Sequence, residues 1–355
     1  MLSDALSQDP LLEVAATAAS GRIALAKIPL VRPEVVVLDV DMPDIDGLGT
    51  LAAIRRSDPR LPVILFSALT EHGAAVTLEG LLMGASDYVT KPSCAGEPAS
   101  VEKQIRGELI PRIKAMRQKA VASNASPAPA GAPASPAPTP RSCPSVQPAV
   151  EVVAIGASTG GPAVLCDLLP RLPADFPAPI LIAQHMPPIF TKLLSERLDA
   201  ISAIGVVEGD SADTLRPGAV WVAPGDFHMV VERSVDSVLV QKNKGPLRNS
   251  CRPSVDALFD SVATAFGAGS LAVVLTGMGQ DGLEGSRRIR EAGGQVLVQD
   301  EGSSVVWGMP GAVARAGLAS AVVSLDQLAP ELIRRVKAGR PSPRDRRARV
   351  VEEHE

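Results

Sequence analysis

The sequence lacks any run that approaches the ~20 consecutive apolar residues required by a membrane-spanning helix. Apolar residues nevertheless make up 46% of its 355 positions, which is enough to build cores in two domains of ordinary size. The first ten residues carry acidic side chains and no basic cluster, so they do not resemble a secretory signal. We therefore expect a protein that is not embedded in a membrane and is located in the cytoplasm.

A strong positive charge is also absent, because the formal net charge is −4 at pH 7. A nucleic-acid-binding protein would normally show a basic patch or stripe, so we expect no nucleic-acid partner. The cysteines Cys94, Cys143, Cys166 and Cys251 have no CxxC spacing and no histidine close to them in the sequence. Such thiols are expected to be unpaired in the cytosol, and the sequence predicts no metal site in this set.

The composition changes sharply at 121–148, where Ala, Pro and Ser make up almost the whole segment. Such a segment cannot bury enough apolar surface to offset its ordering entropy, so it is predicted to be a linker. It separates an N-terminal module, 1–120, from a C-terminal module, 149–338. The remaining 339–355 is charged and is expected to be a disordered tail.

Both modules alternate short apolar runs with helical stretches, which indicates parallel sheets with crossover helices. In the N-terminal module the predicted strands are 12–16, 35–38, 62–66 and 86–89, and the predicted helices are 47–56 and 74–83. In the C-terminal module the predicted strands are 150–155, 179–183, 219–222, 271–275 and 295–298, with an antiparallel pair at 227–231 and 238–242. We therefore predict an α/β fold with two parallel-sheet domains.

Reactive side chains follow three predicted strands of the C-terminal module, where open α/β sheets bind their ligands. Ser158 lies within GASTG, which fits the G-x-S-x-G pattern of a nucleophile elbow. His185 follows the strand 179–183, and Asp281 follows the strand 271–275. These residue types supply a nucleophile, a general base and a group that orients the base. Their conjunction favours a serine hydrolase.

Each of these signals has an alternative explanation when it is taken alone. The serine turn could bind a phosphate or only turn the chain, the histidine could be structural, and the aspartate could be a turn former. His72 lies in the N-terminal module, His354 in the tail, and His228 on the predicted hairpin, where we expect a structural or substrate-lining role. The order Ser, His, Asp also differs from that of α/β-hydrolases, so the elbow does not predict that fold.

Several segments of the C-terminal module are long enough to be specific. They are IGASTGGP at 155–162, QHMP at 184–187, APG and HM at 223–225 and 228–229, RPSVDALF at 252–259, and LTGMGQDG at 275–282. In this order they resemble the methylesterase domain of chemotaxis CheB proteins. The resemblance implies a Rossmann-like, doubly wound domain that demethylates glutamate γ-methyl esters on methyl-accepting chemotaxis proteins. It also implies deamidation of particular receptor glutamines.

The same resemblance implies a role for each site residue. Ser158 would attack the ester carbonyl, His185 would take its proton, and Asp281 would hold the imidazole. The backbone N–H of Met278 is the implied oxyanion donor, with Thr159 close by. No metal or organic cofactor is implied for the esterase.

Polar residues follow three predicted strands of the N-terminal module as well, namely Asp39, Ser67 and Lys91. They could bind a phosphoryl group or be ordinary loop residues, and spacing alone leaves both possibilities open. The motifs VVVLDVDMP around Asp39 and YVTKP around Lys91 resemble a response-regulator receiver, a flavodoxin-like domain. The resemblance implies that Asp39 accepts a phosphoryl group from a chemotaxis histidine kinase. It also implies that Ser67 and Tyr88 form the switch pair and that Lys91 contacts the phosphoryl oxygens.

Receivers begin with a hydrophobic strand ending in an acidic pair that helps to hold Mg²⁺. Here 1–8 reads as part of the first helix, so we expect that strand and its acids to be missing from this sequence. The strands 12–16 and 35–38 would then lose their partner. Either the protein begins upstream of Met1 or the receiver is impaired, and Mg²⁺ binding is in doubt for the chain as given.

Two other functions fit the same sequence. The first is a non-enzymatic adaptor that binds receptors or a kinase through its receiver surface, and the presence of Ser158, His185 and Asp281 within family motifs argues against it. The second is an esterase that acts on a receptor-like target outside chemotaxis. It stays open because nothing in the sequence names the receptor.

Overall fold

The computed structural model describes residues 2–91, 102–124 and 148–338. The predicted tail and most of the predicted linker lie outside these ranges. The first two ranges form an N-terminal α/β unit and the third forms a larger C-terminal α/β unit.

The N-terminal unit contains a parallel sheet of three strands in the order β1-β2-β3. The strands are β1 (Val36–Asp39), β2 (Val63–Ser67) and β3 (Asp87–Thr90). The helices are α1 (Leu2–Ser7), α2 (Gly21–Val31), α3 (Gly47–Ser57), α4 (Glu71–Leu82) and α5 (Ile110–Asn124), with a π-helical turn, Ile105–Leu109, before α5. Three of the four strands predicted for this module are confirmed.

The fourth prediction, a strand at 12–16, is wrong, because these residues belong to neither a helix nor a strand. A strand forms only where neighbouring backbone can pair with its N–H and C=O groups. The receiver pattern places one more strand between 12–16 and β1, and no such strand occurs in the described part of the chain. Residues 12–16 therefore have no sheet edge beside them.

Helix α5 continues to Asn124, past the end of the predicted N-terminal module at 120 and into the predicted linker. Its last turns consist mainly of Arg, Gln, Lys and Ala, which are good helix formers. The first proline after this helix is Pro127. Proline removes a backbone donor and clashes with the preceding turn of a helix. The proline-rich composition therefore disfavours a helix only from Pro127 onward.

The C-terminal unit contains seven strands in the order β12-β11-β10-β4-β5-β7-β6, and every pair in it is parallel. They are β4 (Val152–Ala157), β5 (Ile180–Gln184), β6 (Gly205–Glu208), β7 (Ala219–Val222), β10 (Ser270–Val274), β11 (Gln295–Gln299) and β12 (Ala321–Val323). Strand β4 comes first in the chain, and β5, β6 and β7 follow on one side of it. Strands β10, β11 and β12 are then added on the other side of β4. The strand order therefore reverses between β4 and β10, where open α/β sheets place their ligand site.

Helices flank this sheet, and a hairpin is added to it. The helices are α6 (Gly161–Leu168), α7 (Pro188–Ile201), α8 (Val255–Phe266), α9 (Leu283–Glu291), α10 (Met309–Arg315) and α11 (Leu325–Lys337). The predicted antiparallel pair is confirmed as β8 (His228–Arg233) and β9 (Val238–Asn243). All residues of β4, β5 and β10 are buried, as expected for a parallel sheet covered on both faces.

The two units pack directly against each other. Helix α4 of the N-terminal unit contacts α6 and α7 of the C-terminal unit. The rings of Tyr88 and Phe190 stack across the contact with their centroids 4.5 Å apart. The N-terminal unit thereby covers the ends of β4 and β5. None of the helices in the described ranges has the length and apolar character needed to cross a bilayer.

Candidate active site

Ser158 lies on the tight turn that joins β4 to α6. Its N–H donates to the carbonyl of Thr276 (3.0 Å), and its carbonyl accepts from the N–H of Gly161 (2.8 Å). Gly160 has φ = +78°, and a Cβ there would lie 2.5 Å from Cγ2 of Val305. Glycine is therefore required on both conformational and steric grounds, and the turn leaves Ser158 half-buried at the strand end.

His185 and Asp281 lie at the ends of the strands on either side of β4. His185 follows β5, and Asp281 lies in the loop after β10, so Ser158 lies between them along the sheet edge. His185 Nε2 is 2.8 Å from Asp281 Oδ2. The structure thus brings together the three residues that the sequence singled out, and the ring orientation leaves Nδ1 as the nitrogen that does not face Asp281.

The carboxylate of Asp281 is fixed by the beginning of α8. The Ser254 hydroxyl donates to it at 2.9 Å, and the backbone N–H groups of Val255 and Asp256 donate at 2.7 and 3.0 Å. The side-chain amide of Asn249 adds a further bond of 3.0 Å. The sequence analysis did not assign roles to these residues, although the RPSVD motif contains three of them. A negative charge at a helix N-terminus is stabilised by these N–H groups.

Charge and burial both affect the pKa values of His185 and Asp281. Burial alone would lower the pKa of His185, but its hydrogen bonds to Asp281 and Cys251 and their charges raise it to about 9. Burial would raise the pKa of Asp281, but His185 and the N–H groups of α8 hold it well below its usual range. The arrangement therefore stabilises an imidazolium, which is the species that forms when a serine gives its proton to histidine.

The sequence analysis missed one neighbour of the histidine. Cys251 Sγ lies 3.5 Å from His185 Nδ1, although the two residues are 66 positions apart. No hydrogen bond links Ser158 Oγ to His185 in the described part of the chain. His228, by contrast, is buried with Nε2 on the Pro246 carbonyl and Nδ1 on the N–H of Ser254. It therefore anchors the loop before α8.

The two predicted oxyanion residues belong to different segments of the chain that both lie close to Ser158. Thr159 is adjacent to it in the chain, and its hydroxyl donates to Asp87 of the N-terminal unit (2.7 Å). Met278 follows Gly277, where an added Cβ would lie only 2.9 Å from Cβ of Ser158. The Gly277–Met278 peptide therefore runs directly beside the serine.

A small cleft at the contact between the units contains the serine and the histidine. Its walls come from both units and include Ser158, Thr159, His185, Asp87, Tyr88 and Arg112. Arg112 donates from Nε to Asp87 Oδ2 (2.9 Å), so Asp87 is shared between the guanidinium and Thr159. In this arrangement the N-terminal unit restricts access to Ser158.

The predicted phosphoryl site lies at the strand ends of the N-terminal sheet. Lys91 Nζ is 2.7 Å from Asp39 Oδ1 and 3.8 Å from Asp41 Oδ2. The hydroxyl of Ser67, which is buried at the end of β2, donates to the Gly73 carbonyl (3.1 Å). Tyr88 lies on β3 with its ring against Phe190. Asp39 and Lys91 are thus in contact, whereas Ser67 and Tyr88 are engaged elsewhere.

A doubly wound parallel sheet with serine, histidine and aspartate on three adjacent strand ends, beside a receiver-like unit, is the architecture of a regulated serine hydrolase. Family models agree with this class. The CheB methylesterase model matches residues 153–332, and the response regulator receiver domain model matches residues 1–99. The chain belongs to the CheB methylesterase family.

Known relatives match along nearly the whole chain. A protein-glutamate methylesterase/protein-glutamine glutaminase of Trichodesmium erythraeum is 47% identical over 336 residues, which cover 95% of each protein. One of the same name from a Nocardioides species is 45% identical and covers 96% of this chain and 93% of that protein. The crystal structure of the Thermotoga maritima CheB methylesterase catalytic domain has 41% identity and a TM-score of 0.51, covering 52% of this chain and 97% of that one.

Proposed function

We propose that this protein removes the methyl group from glutamate γ-methyl esters of chemoreceptors and deamidates receptor glutamines. The observation that carries this proposal is the position of Ser158 between His185 and Asp281 on adjacent strand ends, with a 2.8 Å bond joining the latter two. The names of the relatives supply the substrate class. The substrate would be the cytoplasmic part of a methyl-accepting chemotaxis protein, which places the reaction in the cytoplasm.

In the proposed reaction, Ser158 Oγ attacks the ester carbonyl carbon while its proton passes to Nδ1 of His185. Asp281 holds the ring through Nε2 and stabilises the imidazolium. The Met278 N–H, with Thr159 nearby, would stabilise the oxyanion, and one such donor is typically worth ~3 kcal/mol. His185 then protonates the methoxy group, methanol leaves, and water hydrolyses the acyl-enzyme to the carboxylate. With a glutamine substrate, ammonia leaves instead.

Regulation is proposed to act through Asp39. Phosphorylation would replace the pairing of this carboxylate with Lys91 by contacts to the phosphoryl oxygens, and Ser67 and Tyr88 would respond as the switch pair. Tyr88 stacks on Phe190 of the C-terminal unit, so its movement would loosen the contact that covers Ser158. The phosphodonor would be a chemotaxis histidine kinase. The domain limits 1–120 and 149–338 are retained as a proposal.

Receivers use Mg²⁺ for this step, and Mg²⁺ is typically held by one or two carboxylates together with phosphate oxygens. Asp39 and Asp41 both contact the Lys91 ammonium and would supply carboxylates, whereas the acidic pair expected after the first strand of a receiver is missing from the described ranges, so this ligand set is incomplete for Mg²⁺. When bound, Mg²⁺ would offset the negative charge of the incoming phosphoryl group. For the esterase reaction we propose that no cofactor is required.

The proposal is tested by methanol release from methylated receptor fragments. Ser158→Ala should lose release completely, because it removes the nucleophile. Ser234→Ala, which changes an exposed serine at the β8–β9 turn, should retain it. Equal release by wild type and Ser158→Ala would exclude Ser158 as the nucleophile. No release by the wild type, even after phosphorylation, would exclude the substrate assignment and favour the adaptor function.

A further inference from the structure

We propose that His185 and Cys251 form a binding site for a thiophilic divalent cation, Zn²⁺ above all, and that occupation of this site inhibits the esterase. The inhibitory effect rests on the proposed function, whereas the binding site rests on geometry alone. In the described ranges, one group of three potential ligand residues comes together, namely His185, Cys251 and Asp281. Their ligand atoms lie within 4.8 Å of one another.

The spacing of the two donor atoms suits a shared zinc ion. Cys251 Sγ and His185 Nδ1 are 3.5 Å apart. Zinc binds imidazole nitrogen at about 2.0 Å and thiolate sulfur at about 2.3 Å in tetrahedral geometry, so two such ligands stand about 3.5 Å apart. The thiol and the imidazole therefore need little movement to bind the same ion.

The other side of the imidazole is already arranged as in zinc sites. A metal-binding histidine almost always donates its second ring N–H to a carboxylate or carbonyl, which fixes the ring and its tautomer. Here Nε2 faces Asp281 Oδ2 at 2.8 Å. Both oxygens of Asp281 already accept hydrogen bonds, from Ser254 and Val255 among others, so we assign the carboxylate as the outer partner rather than a ligand.

The site is accessible and is chemically selective. The His185 side chain is 13% exposed and lines the cleft, and Cys251 is half-buried, so neither donor is fully enclosed by protein. Water would complete the tetrahedron. One sulfur and one nitrogen donor suit Zn²⁺, whereas Mg²⁺ prefers oxygen ligands. The ion proposed for Asp39 therefore does not compete for this site.

Binding would stop catalysis for a simple reason. Nδ1 is the histidine nitrogen that remains for Ser158 once Nε2 is committed to Asp281. A zinc ion on Nδ1 occupies the lone pair that has to accept the serine proton. Inhibition should therefore be reversed by a chelator and should not occur with Mg²⁺.

The experiment titrates the full-length protein with Co²⁺ and Zn²⁺ and compares wild type, Cys251→Ser and Cys166→Ser. Cys166 is the matched control, because it is also half-buried and lies on α6. Cobalt bound to a thiolate gives a near-ultraviolet charge-transfer band that Zn²⁺ removes by competition. We expect this band in wild type and Cys166→Ser and its loss in Cys251→Ser. Circular dichroism checks that each variant is folded.

The second readout is the inhibition of methanol release by Zn²⁺, relative to each variant's own metal-free rate. Cys251→Ser should require about tenfold more Zn²⁺ than Cys166→Ser, since the soft ligand is lost. An unchanged cobalt band and unchanged zinc sensitivity in a folded Cys251→Ser variant would overturn the proposal. If the wild type released no methanol, the cobalt titration would still decide the site, so failure of the proposed function is distinguishable.

Discussion

Asp281 accepts more hydrogen bonds than the orientation of one imidazole requires. Besides His185, its donors are Ser254 Oγ, Asn249 Nδ2 and the N–H groups of Val255, Asp256 and Gly282. Asn249 also donates to Asp256 Oδ2 (2.8 Å), so its amide stands between two buried carboxylates. Burial raises the pKa of Asp256, and the charge of Asp281 raises it further. The asparagine therefore keeps two like-charged groups apart while fixing both.

Asn249→Gly should lower kcat for methanol release by about tenfold or more. A hydrogen bond to a charged group is worth about 1.5–3 kcal/mol, and 1.36 kcal/mol corresponds to a factor of ten in rate. Glycine is the appropriate substitute because Asn249 has φ = +49°, where alanine would add backbone strain.

Ser250→Gly is the matched control, because its φ of +61° belongs to the same left-handed loop. It should retain most of the activity. If both variants lost activity equally, the loop conformation rather than the Asn249 amide would be responsible.

At the scale of elements, the site depends on how closely α8 approaches β4. An added Cβ on Gly156 would lie 2.3 Å from Cγ1 and 2.7 Å from Cγ2 of Val255, the first residue of α8. The absence of a side chain at Gly156 therefore lets the beginning of α8 reach Asp281. Any side chain there pushes the helix away from the strand.

Gly156→Ala should accordingly lower the free energy of unfolding by about 1–3 kcal/mol, the usual cost of overpacking a core. Chemical denaturation with circular dichroism measures it. Gly205→Ala in the edge strand β6 is the control, since an added Cβ there meets no atom within 4 Å. It should stay within about 0.5 kcal/mol of wild type. Equal destabilisation by the two substitutions would contradict this account of the β4–α8 contact.

Some elements could be predicted from the sequence, and others could not, for physical reasons. The long apolar runs gave β4, β5 and β10, and strand-end reasoning then brought Ser158, His185 and Asp281 together. Strands β6 and β12 have only four and three residues, with exposed positions among them, so their pattern is weak. Helix α2 was missed because it contains Pro29, which normally disfavours a helix interior.

The contacts that the sequence could not reveal are those that depend on how loops and units pack. Cys251 reaches His185 only because the loop before α8 folds over the end of β5. Likewise, Asp87 meets Thr159 across 72 positions because one unit docks on the other. Neither spacing nor hydrophobic periodicity contains information about such contacts.

At the scale of the whole molecule, the two units share the residues that surround the serine. Asp87 accepts from Thr159 and from Arg112, and its side chain is only 7% exposed. Because this carboxylate is largely shielded from water, its bonds count for more than those of a surface ion pair. We expect the contact to hold the covered arrangement and to keep unphosphorylated activity low.

Asp87→Ala should therefore raise methanol release by the unphosphorylated protein. Losing about 1–2 kcal/mol from the contact shifts the equilibrium between the covered and the uncovered arrangement by about 5–30-fold. The rate of methanol release should rise by a factor within this range. Asp87→Asn retains an acceptor oxygen and should give a smaller increase, while Glu71→Ala removes an exposed acid of α4 and should leave the rate unchanged. The rates are compared at equal protein concentration, after circular dichroism has shown equal folding. Unchanged release by a folded Asp87→Ala variant would mean that Asp87 does not restrain the catalytic unit, and the Tyr88–Phe190 stack would then be the contact that phosphorylation has to break.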